Sequence, residues 1–326
     1  MSDYKAIKGR TIQTFSGDHP NAASGDVWYN STLGQIRSAK KPAGAWASGG
    51  NLNSARDKTA SAGTQTAGMI FGGENPKTAV EQYDGSSWTE IADLGTGRYM
   101  LSGTGTQTAA LAIAGLADGG SYSNTHESWN GTSWTEVADL NAVRANVGAI
   151  GVTTAALFAG GDSPGGVVDS VESWNGASWT EVADLNVARA SGGGIGIQTS
   201  AITVGGNNPG NAEALEMAEE WDGTSWTEIA NVNHERKQIL GTSGLSSNGM
   251  FFGGHKPGVG VFNNTEVWDG SSWTEVANLA TARNDGGGSP AGTTSLALAA
   301  GGNSGSDSNA TEEWTHAVAA SSFTSS

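Results

Sequence analysis

One segment of sixteen residues returns at nearly constant intervals, and this repetition constrains the fold more than any other feature of the chain. Its form at 174–189 is WNGASWTEVADLNVAR, related copies begin at Trp129, Trp221 and Trp268, and a copy with tyrosine first begins at Tyr83. The second tryptophan of each copy follows the previous one at steps of 45 to 47 residues. A period of this length indicates an array of similar structural units.

Each unit is predicted to contain four short strands. A run of small residues after the arginine forms the first strand, and an apolar run into glycine forms the second. The Glu-x-Trp (or Glu-x-Tyr) stretch and the Trp-Thr-Glu stretch form the third and fourth strands, joined by Asn-Gly or Asp-Gly. These dipeptides favour a type I′ hairpin turn, in which both central residues have positive φ. They occur at 84–85, 130–131, 175–176, 222–223 and 269–270.

The two ends of the array complete each other. The last unit contains Arg283 and Trp314, but no second tryptophan follows. Near the N-terminus, Trp46 precedes Arg56 by ten residues, which is the spacing from the second tryptophan to the arginine in every full copy. We therefore predict an all-β, six-bladed propeller with four-stranded blades, closed by the N-terminal strand around Trp46. Closure leaves no exposed end to the array.

The remaining segments are assigned around this ring. Residues 44–318 form the predicted propeller, and the alternating apolar and polar residues of 26–43 predict an extra strand pair leading into it. Residues 1–25 are interpreted as an N-terminal arm or connector, and 319–326 as a C-terminal tail. The N-terminus lacks the apolar core of a signal peptide, and no apolar run is long enough to span a bilayer, so neither kind of segment is expected.

Composition excludes several kinds of chemistry. The chain has 16 Lys and Arg against 32 Asp and Glu, a formal net charge of −16, which disfavours a nucleic-acid partner. It has no cysteine, so disulfides, thiolate metal sites and cysteine nucleophiles are excluded. Its 5 histidines do not show the spacing of metal ligands, so we expect neither a metal nor a cofactor.

The repeat resembles a known family. An arginine, an apolar run into Gly-Gly, then Tyr or Trp and a later Trp is similar to the kelch repeat of β-propellers, over about residues 44–315. The second unit departs from this pattern, because Ala114-Gly115 stands where the others have two glycines. The near-identical WDGSSWTEVA copies and the segment GDVWYNSTLGQ also resemble kelch-like proteins of marine tailed phages. That resemblance implies a virion protein of the appendage or tail-fibre kind.

The repeated arginines are the first candidate site. Resemblance to kelch propellers implies a ring of arginines around one mouth of the central channel, where such residues can hold an anionic ligand. The alternative is structural, with each guanidinium bound to loop carbonyls or to a nearby acid, for which Asp93, Asp139 and Asp184 are candidates. We favour the structural role, because a residue present in every repeat usually serves the repeat. The arginines are Arg56, Arg98, Arg144, Arg189, Arg236 and Arg283.

Other recurring and non-recurring residues complete the candidate list. The tryptophans are expected to pack between adjacent sheets, and the glutamate of each Trp-Thr-Glu is expected to face solvent. The loops after the glycines differ from unit to unit, which favours recognition by that face. Outside the repeat, Trp28 and Tyr29 are candidate attachment residues. The candidate binding residues in the loops are Asn75, Tyr122, Asn207, His255 and Asn303.

Three classes of function remain open. The first is a non-enzymatic virion structural or appendage protein, located at the particle surface or tail, whose propeller presents a binding face to host glycans, host proteins or neighbouring virion subunits. Homo-oligomers are compatible with it. The second is a glycan-binding or glycan-acting propeller enzyme, which predicts one unmatched acid, His or Tyr in the channel mouth. The third is a cellular kelch-type adaptor. We favour the first, because no catalytic constellation stands out in the sequence.

Overall fold

The computed structural model describes residues 12–16, 27–40, 44–75, 77–209, 213–316 and 319–322. The chain divides into two compact units. The larger is Ala45–Thr315, and the smaller combines the two ends of the chain, Met1–Gly44 and His316–Ser326.

The larger unit is a six-bladed β-propeller, as the repeat predicts. Blades one to five are four-stranded antiparallel sheets whose strands follow in chain order. A short hairpin, His255–Lys256 with Gly260–Val261, is inserted in blade five, and a 3₁₀ turn, Asp118–Gly120, is inserted in blade two. The strands are Ala60–Thr64, Ala67–Phe71, Val80–Tyr83 and Trp88–Glu90 in blade one; Ser102–Thr106, Ala109–Leu116, Tyr122–Trp129 and Trp134–Glu136 in blade two; Gly148–Val152, Ala155–Ser163, Gly166–Trp174 and Trp179–Val182 in blade three; Gly193–Ile197, Ser200–Val204, Ala218–Trp221 and Trp226–Ile229 in blade four; and Gly241–Leu245, Asn248–Phe252, Thr265–Trp268 and Trp273–Glu275 in blade five.

Blade six is built from both ends of the larger unit. Its strands are Leu296–Ala300, Thr311–Thr315 and Ala45–Ser48. Trp314 pairs with Trp46 across the last two strands, so the predicted closure by the N-terminal strand is confirmed.

The innermost strand of blade six differs from the prediction. In place of a full strand, Gly287 makes a single antiparallel bridge to Ala300. Three residues later the chain reaches Pro290, which has no backbone N–H to donate to a ladder. The hydroxyl of Ser289 instead accepts a hydrogen bond from the backbone N–H of Leu298, at 3.0 Å.

The core lies between adjacent blades, as predicted for the tryptophans. Trp174 and Trp179 of blade three pack with Leu111 and Ile113 of blade two and with Phe158 in one buried cluster. The two indole rings lie 5.3 Å apart between centroids. The glutamates of the Trp-Thr-Glu strands are exposed, which also agrees with the prediction.

The turn that joins the third and fourth strands is not of the predicted type I′. The type I′ prediction is wrong, because Gly131 has a positive φ of 93° and Asn130 does not. The last pair of the ladder is Trp129 with Trp134, so four residues form the loop. The Asn130 side-chain oxygen accepts the backbone N–H groups of Thr132 and Ser133, each at 2.9 Å. The asparagine therefore directs the turn through its side chain and not through its own φ.

The smaller unit is one four-stranded sheet, in the order Gln13–Phe15, Val27–Asn30, Gln35–Lys40 and Ala319–Ser322. The first pair is parallel and the other two are antiparallel. The predicted strand pair around 31–34 is present, but the predicted C-terminal tail contributes an edge strand because its backbone pairs with Gln35–Lys40. Of the predicted arm, residues 1–11 and 17–25 lie outside the described part of the chain.

In the described part of the chain, no helix has the length and apolar character needed to cross a bilayer.

Candidate functional site

The six repeated arginines are buried at the junctions between blades. Their exposed fractions are 0–1%. Each makes a salt bridge to a glutamate in the third strand of the blade that follows it, two residues before the first aromatic of the hairpin. The pairs are Arg56–Glu81, Arg98–Glu127, Arg144–Glu172, Arg189–Glu219, Arg236–Glu266 and Arg283–Glu312.

Arg189 illustrates the geometry of these pairs. Its Nη2 lies 2.6 Å from Glu219 Oε1, and its Nη1 donates to the carbonyl oxygens of Gly205 and Met217 at 3.1 and 3.0 Å. The other carboxylate oxygen accepts the backbone N–H of Asn186, at 2.8 Å, in the linker from the preceding blade. Burial lowers the pKa of the Arg189 guanidinium, and Glu219 opposes that shift. The pair therefore ties the linker to the blade.

This geometry agrees with the favoured structural role of the arginines and corrects the alternative, an anion-binding ring. The arginines cannot reach a ligand in the channel, because burial and internal partners occupy them. Their acids are also not the predicted ones, since Asp93, Asp139 and Asp184 are exposed. Asp93 accepts the Thr78 hydroxyl at 3.0 Å instead. The missed signal was the glutamate of every Glu-x-Trp stretch, which recurs as regularly as the arginine.

The residue two positions after each arginine lies at the channel mouth. Together these six residues form a closed circle, which we call the mouth ring. All six members have left-handed backbone, with φ between 51° and 58°, which is uncommon for residues other than glycine. The N–H of each donates to the carbonyl of the member in the preceding blade, with N···O distances of 2.6 to 3.1 Å. The mouth ring consists of Lys58, Met100, Asn146, Ser191, Gln238 and Asp285.

The mouth ring surrounds a cavity of about 80 Å³. A second cavity of about 110 Å³ lies along the innermost strands and reaches Ser61, Thr242 and Pro290. It shares with the first cavity residues that directly follow ring members, such as Thr59 and Gly192. These strands approach closely, because a Cβ added to Gly148 would lie 2.7 Å from the backbone nitrogen of Gly194. Small residues on the innermost strands therefore allow six blades to meet around an open channel.

Asp285 is the one acid of the mouth ring. Its carboxylate accepts the side-chain N–H groups of Gln238, at 2.7 Å, and Asn284, at 3.0 Å. Burial, with the negative charge of the neighbouring Asp57, raises the pKa of Asp285 to about 7, and Lys58, the Gln238 hydrogen bond and Lys237 oppose the shift. Within the described residues, no salt bridge compensates this carboxylate.

Three of the predicted loop residues lie directly outside the mouth ring. Asn207, His255 and Asn303 each form a bridge with the residue that precedes a ring member. Burial, with a smaller effect of Lys237, lowers the pKa of His255. The Asn303 side chain donates to Asp57 at 3.3 Å.

The other two predicted loop residues lie farther out. Tyr122 pairs with Leu116, which in turn bridges to Tyr99 beside the ring. Burial raises the pKa of Tyr122, and the charge of Asp162 adds to that effect. Asn75 is exposed and directly follows Glu74, whose backbone N–H donates to the carbonyl of Asp57 at 3.1 Å.

The two predicted attachment residues have opposite exposure. Trp28 is 1% exposed, so its proposed contact with a partner is corrected: in its strand the side chains alternate, and Trp28 faces inward. Tyr29 is 36% exposed and lies opposite Ile36, which is 43% exposed. With Val27 and Leu33, these side chains give the smaller unit an exposed apolar surface.

The fold and the mouth ring define a six-bladed β-propeller with a hydrogen-bonded hub. Comparison with solved structures supports the propeller fold. No family model and no curated protein matches the chain. Among solved structures, the chain is similar to YjhT, with a TM-score of 0.68 and 12% sequence identity, over 84% of this chain and 99% of that one. At that identity the likeness shows the fold.

Proposed function

We propose that this protein is a non-enzymatic binding and assembly protein. Its propeller presents the face around the mouth ring to a partner, and its smaller unit attaches it to a larger structure. The observation that carries the proposal is the contrast between the arginine positions and the ring positions. The first position holds arginine in all six units, and its side chain is engaged in internal contacts. The ring position holds six different residues.

This contrast follows from what each position has to do. The Arg–Glu pair joins linker to blade, so the same chemistry serves every unit. The mouth ring is held by backbone hydrogen bonds, which place no demand on side-chain chemistry. Side chains at the mouth can therefore differ without loss of the fold, as recognition on a rigid scaffold requires.

The proposed attachment surface is the apolar face of the smaller sheet. Val27, Tyr29, Leu33 and Ile36 are each at least 36% exposed there. Contiguous apolar surface of this kind is typical of protein contacts. Together with the phage-like style of the repeat, it supports a location in a virion appendage, where one part of a subunit is held and another points outward.

The test is to locate the protein in purified particles by mass spectrometry and then to compare side-chain oxidation in particles with that of the isolated chain. We expect Tyr29, Leu33 and Ile36 to be protected in particles and Met100 of the mouth ring to stay reactive. Absence from every particle would overturn the virion location. Protection of Met100 with a reactive Tyr29 would reverse the assigned faces.

A second candidate function is supported by Asp285. An unmatched acid at the channel mouth is the feature expected of a glycan-acting propeller, and a carboxyl with a pKa of about 7 can exchange protons near neutral pH. The matched test uses chromogenic glycosides with the native chain and Asp285→Asn. Turnover that is lost in the variant would favour an enzyme, and turnover by neither protein would favour the binding role.

A further inference from the structure

We propose that the cavity inside the mouth ring binds a primary ammonium group of the partner, with the Asp285 carboxylate as its counter-ion. The inference rests on the proposed function, because it names the chemical group that the binding face accepts. It makes the mouth a site for an amine-bearing ligand, such as a lysine side chain or an amino sugar.

The first support is the uncompensated charge at the cavity wall. Asp285 lines the cavity and is held by two amide N–H donors, both neutral. The one cation of the mouth ring, Lys58, forms its salt bridge with Glu74, and its Nζ lies 5.8 Å from the centre of the Tyr99 ring. The charge of Lys58 still acts on Asp285, but among the described residues the Asp285 carboxylate has no ion-pair partner, and a cationic ligand can take that place.

The second support is an unsatisfied hydroxyl at the wall of the same cavity. Thr59 lines both cavities and is 8% exposed, and its hydroxyl has no hydrogen-bond partner within the described chain. Buried polar atoms are normally hydrogen-bonded, so this hydroxyl points to a missing partner in the cavity.

The charged groups near Asp285 move the pKa of its carboxyl in opposite directions, since Asp57 raises it and Lys58 and Lys237 lower it. The chain as a whole carries a formal charge of −16, which raises the local concentration of cations over anions.

Two other ring members that line the cavity carry side-chain amides, Gln238 and Asn146. Their amide nitrogens donate within the chain, Gln238 to Asp285 and Asn146 to Asp162 at 2.8 Å. An ammonium has three donors and no acceptor, so the proposal assigns its remaining protons to the amide oxygens of these two side chains.

The cavity of about 80 Å³ exceeds the space that one water needs, so it can admit a primary ammonium group with its first methylene. The body of the ligand would lie over the loops that carry Asn207, His255 and Asn303.

The experiment is calorimetric titration of the full chain with Nα-acetyl-lysine methylamide and, separately, glucosamine. Their Nε-acetylated and N-acetylated forms are the neutral matched probes. We expect the ammonium forms to bind and the acetylated forms to bind at least about tenfold more weakly, as for loss of a charge-assisted hydrogen bond. Binding of the lysine probe alone would identify a protein partner, and binding of glucosamine alone would identify a glycan.

Two variants make the assignment specific. Asp285→Asn removes the charge, and Asn146 already occupies the equivalent ring position with φ 57°, so the backbone accepts the change. We expect it to weaken binding at least about tenfold, while Asp118→Asn, at an exposed carboxylate paired with Lys77, changes binding less than about twofold. Asn146→Lys places an internal ammonium across the mouth and should abolish binding with Asp285 intact.

The proposal is wrong if neither ammonium probe binds at millimolar concentration, if acetylated probes bind equally well, or if both ring variants leave binding unchanged. These outcomes do not bear on the location of the protein in particles or on which face is protected there. Failure of the ammonium site and failure of the proposed function are therefore distinguishable.

Discussion

The backbone N–H of Lys58 donates to the carbonyl oxygen of Asp285 at 2.6 Å, and this hydrogen bond closes the mouth ring. It joins the first blade to the last. The other five bonds of the ring join successive blades, so the same contact that repeats along the chain also completes the circle. The mouth and the closure of the propeller are thus one structural feature.

Replacing Asp285 is expected to change how stability depends on pH. In the folded chain its pKa is about 7, above the ordinary value of 3.8, so the folded state holds a proton that the unfolded state releases. Stability from this group is present below pH 3.8 and is lost as pH rises through about 7. A shift of this size corresponds to about 4 kcal/mol, and because the side chain is only half-buried we expect about 2 kcal/mol.

Chemical denaturation of the native chain and Asp285→Asn at pH 5 and pH 8 checks this. The variant should be more stable than the native chain at pH 8 and should lose less stability between the two values. Equal pH dependence in both proteins would contradict the assignment of the titration to Asp285.

The buried His126 is expected to make the folded chain less stable in acid. It is fully buried, and Trp179 Nε1 donates to its Nδ1 at 3.1 Å. Burial lowers the pKa of His126 from 6.5 to about 4. The unfolded chain therefore binds a proton that the folded chain does not, and about 3 kcal/mol of stability present above pH 6.5 is lost as pH falls towards 4.

His126→Thr separates this titration from packing. The equivalent residue in blade five is Thr265, whose hydroxyl accepts Trp46 Nε1 at 2.9 Å, so threonine can keep the hydrogen bond. Unfolding midpoints measured between pH 4 and pH 7 should fall less steeply in the variant. Val171→Thr introduces the same residue at the equivalent position of blade three without removing a titratable group, so it is the control and should retain the native slope.

Val171→Thr is expected to stabilise the propeller. Val171 is fully buried beside Trp226, whose Nε1 is buried without a partner in the described chain. Where the equivalent residue is Thr311, its hydroxyl accepts Trp88 Nε1 at 3.0 Å. A hydroxyl at 171 should therefore satisfy the indole and raise the free energy of unfolding by about 1 kcal/mol.

Denaturant titration measures that gain. The matched control is Val171→Thr combined with Trp226→Phe, where no indole N–H remains to be satisfied. If threonine stabilises both backgrounds equally, the gain comes from something other than the hydrogen bond.

Breaking one Arg–Glu pair is expected to be costly. Arg189→Met leaves the Glu219 carboxylate buried without its charged partner, and such a change typically costs about 3–5 kcal/mol. Adding Glu219→Leu should recover part of the loss, because the uncompensated charge is removed. Equilibrium unfolding of both variants tests this, with Lys77→Ala as a control at an exposed pair that should change stability by less than about 1 kcal/mol.

The sequence by itself determined the number of blades, the order of the strands and the closure by Trp46. These features follow from spacing, because a strand length and a buried indole recur once per unit and can be counted along the chain. The inward position of the tryptophans and the exposed Trp-Thr-Glu glutamates follow from the same alternation. The Arg–Glu pairing is also present in the spacing, because Glu81 and its equivalents recur as regularly as the arginines.

Only the tertiary structure decided the chemistry of the mouth. Lys58 and Asp285 stand at opposite ends of the array of six units and meet only when the ring closes, so no local pattern relates them. The side-chain turn at Asn130 depended on hydrogen bonds that a dipeptide signal does not contain. The environment of Asp285 is likewise assembled from Gln238, Asn284 and Asp57, which lie in different blades or linkers. Burial and charge at a point in space are properties of the folded chain, because they depend on residues that only folding brings together.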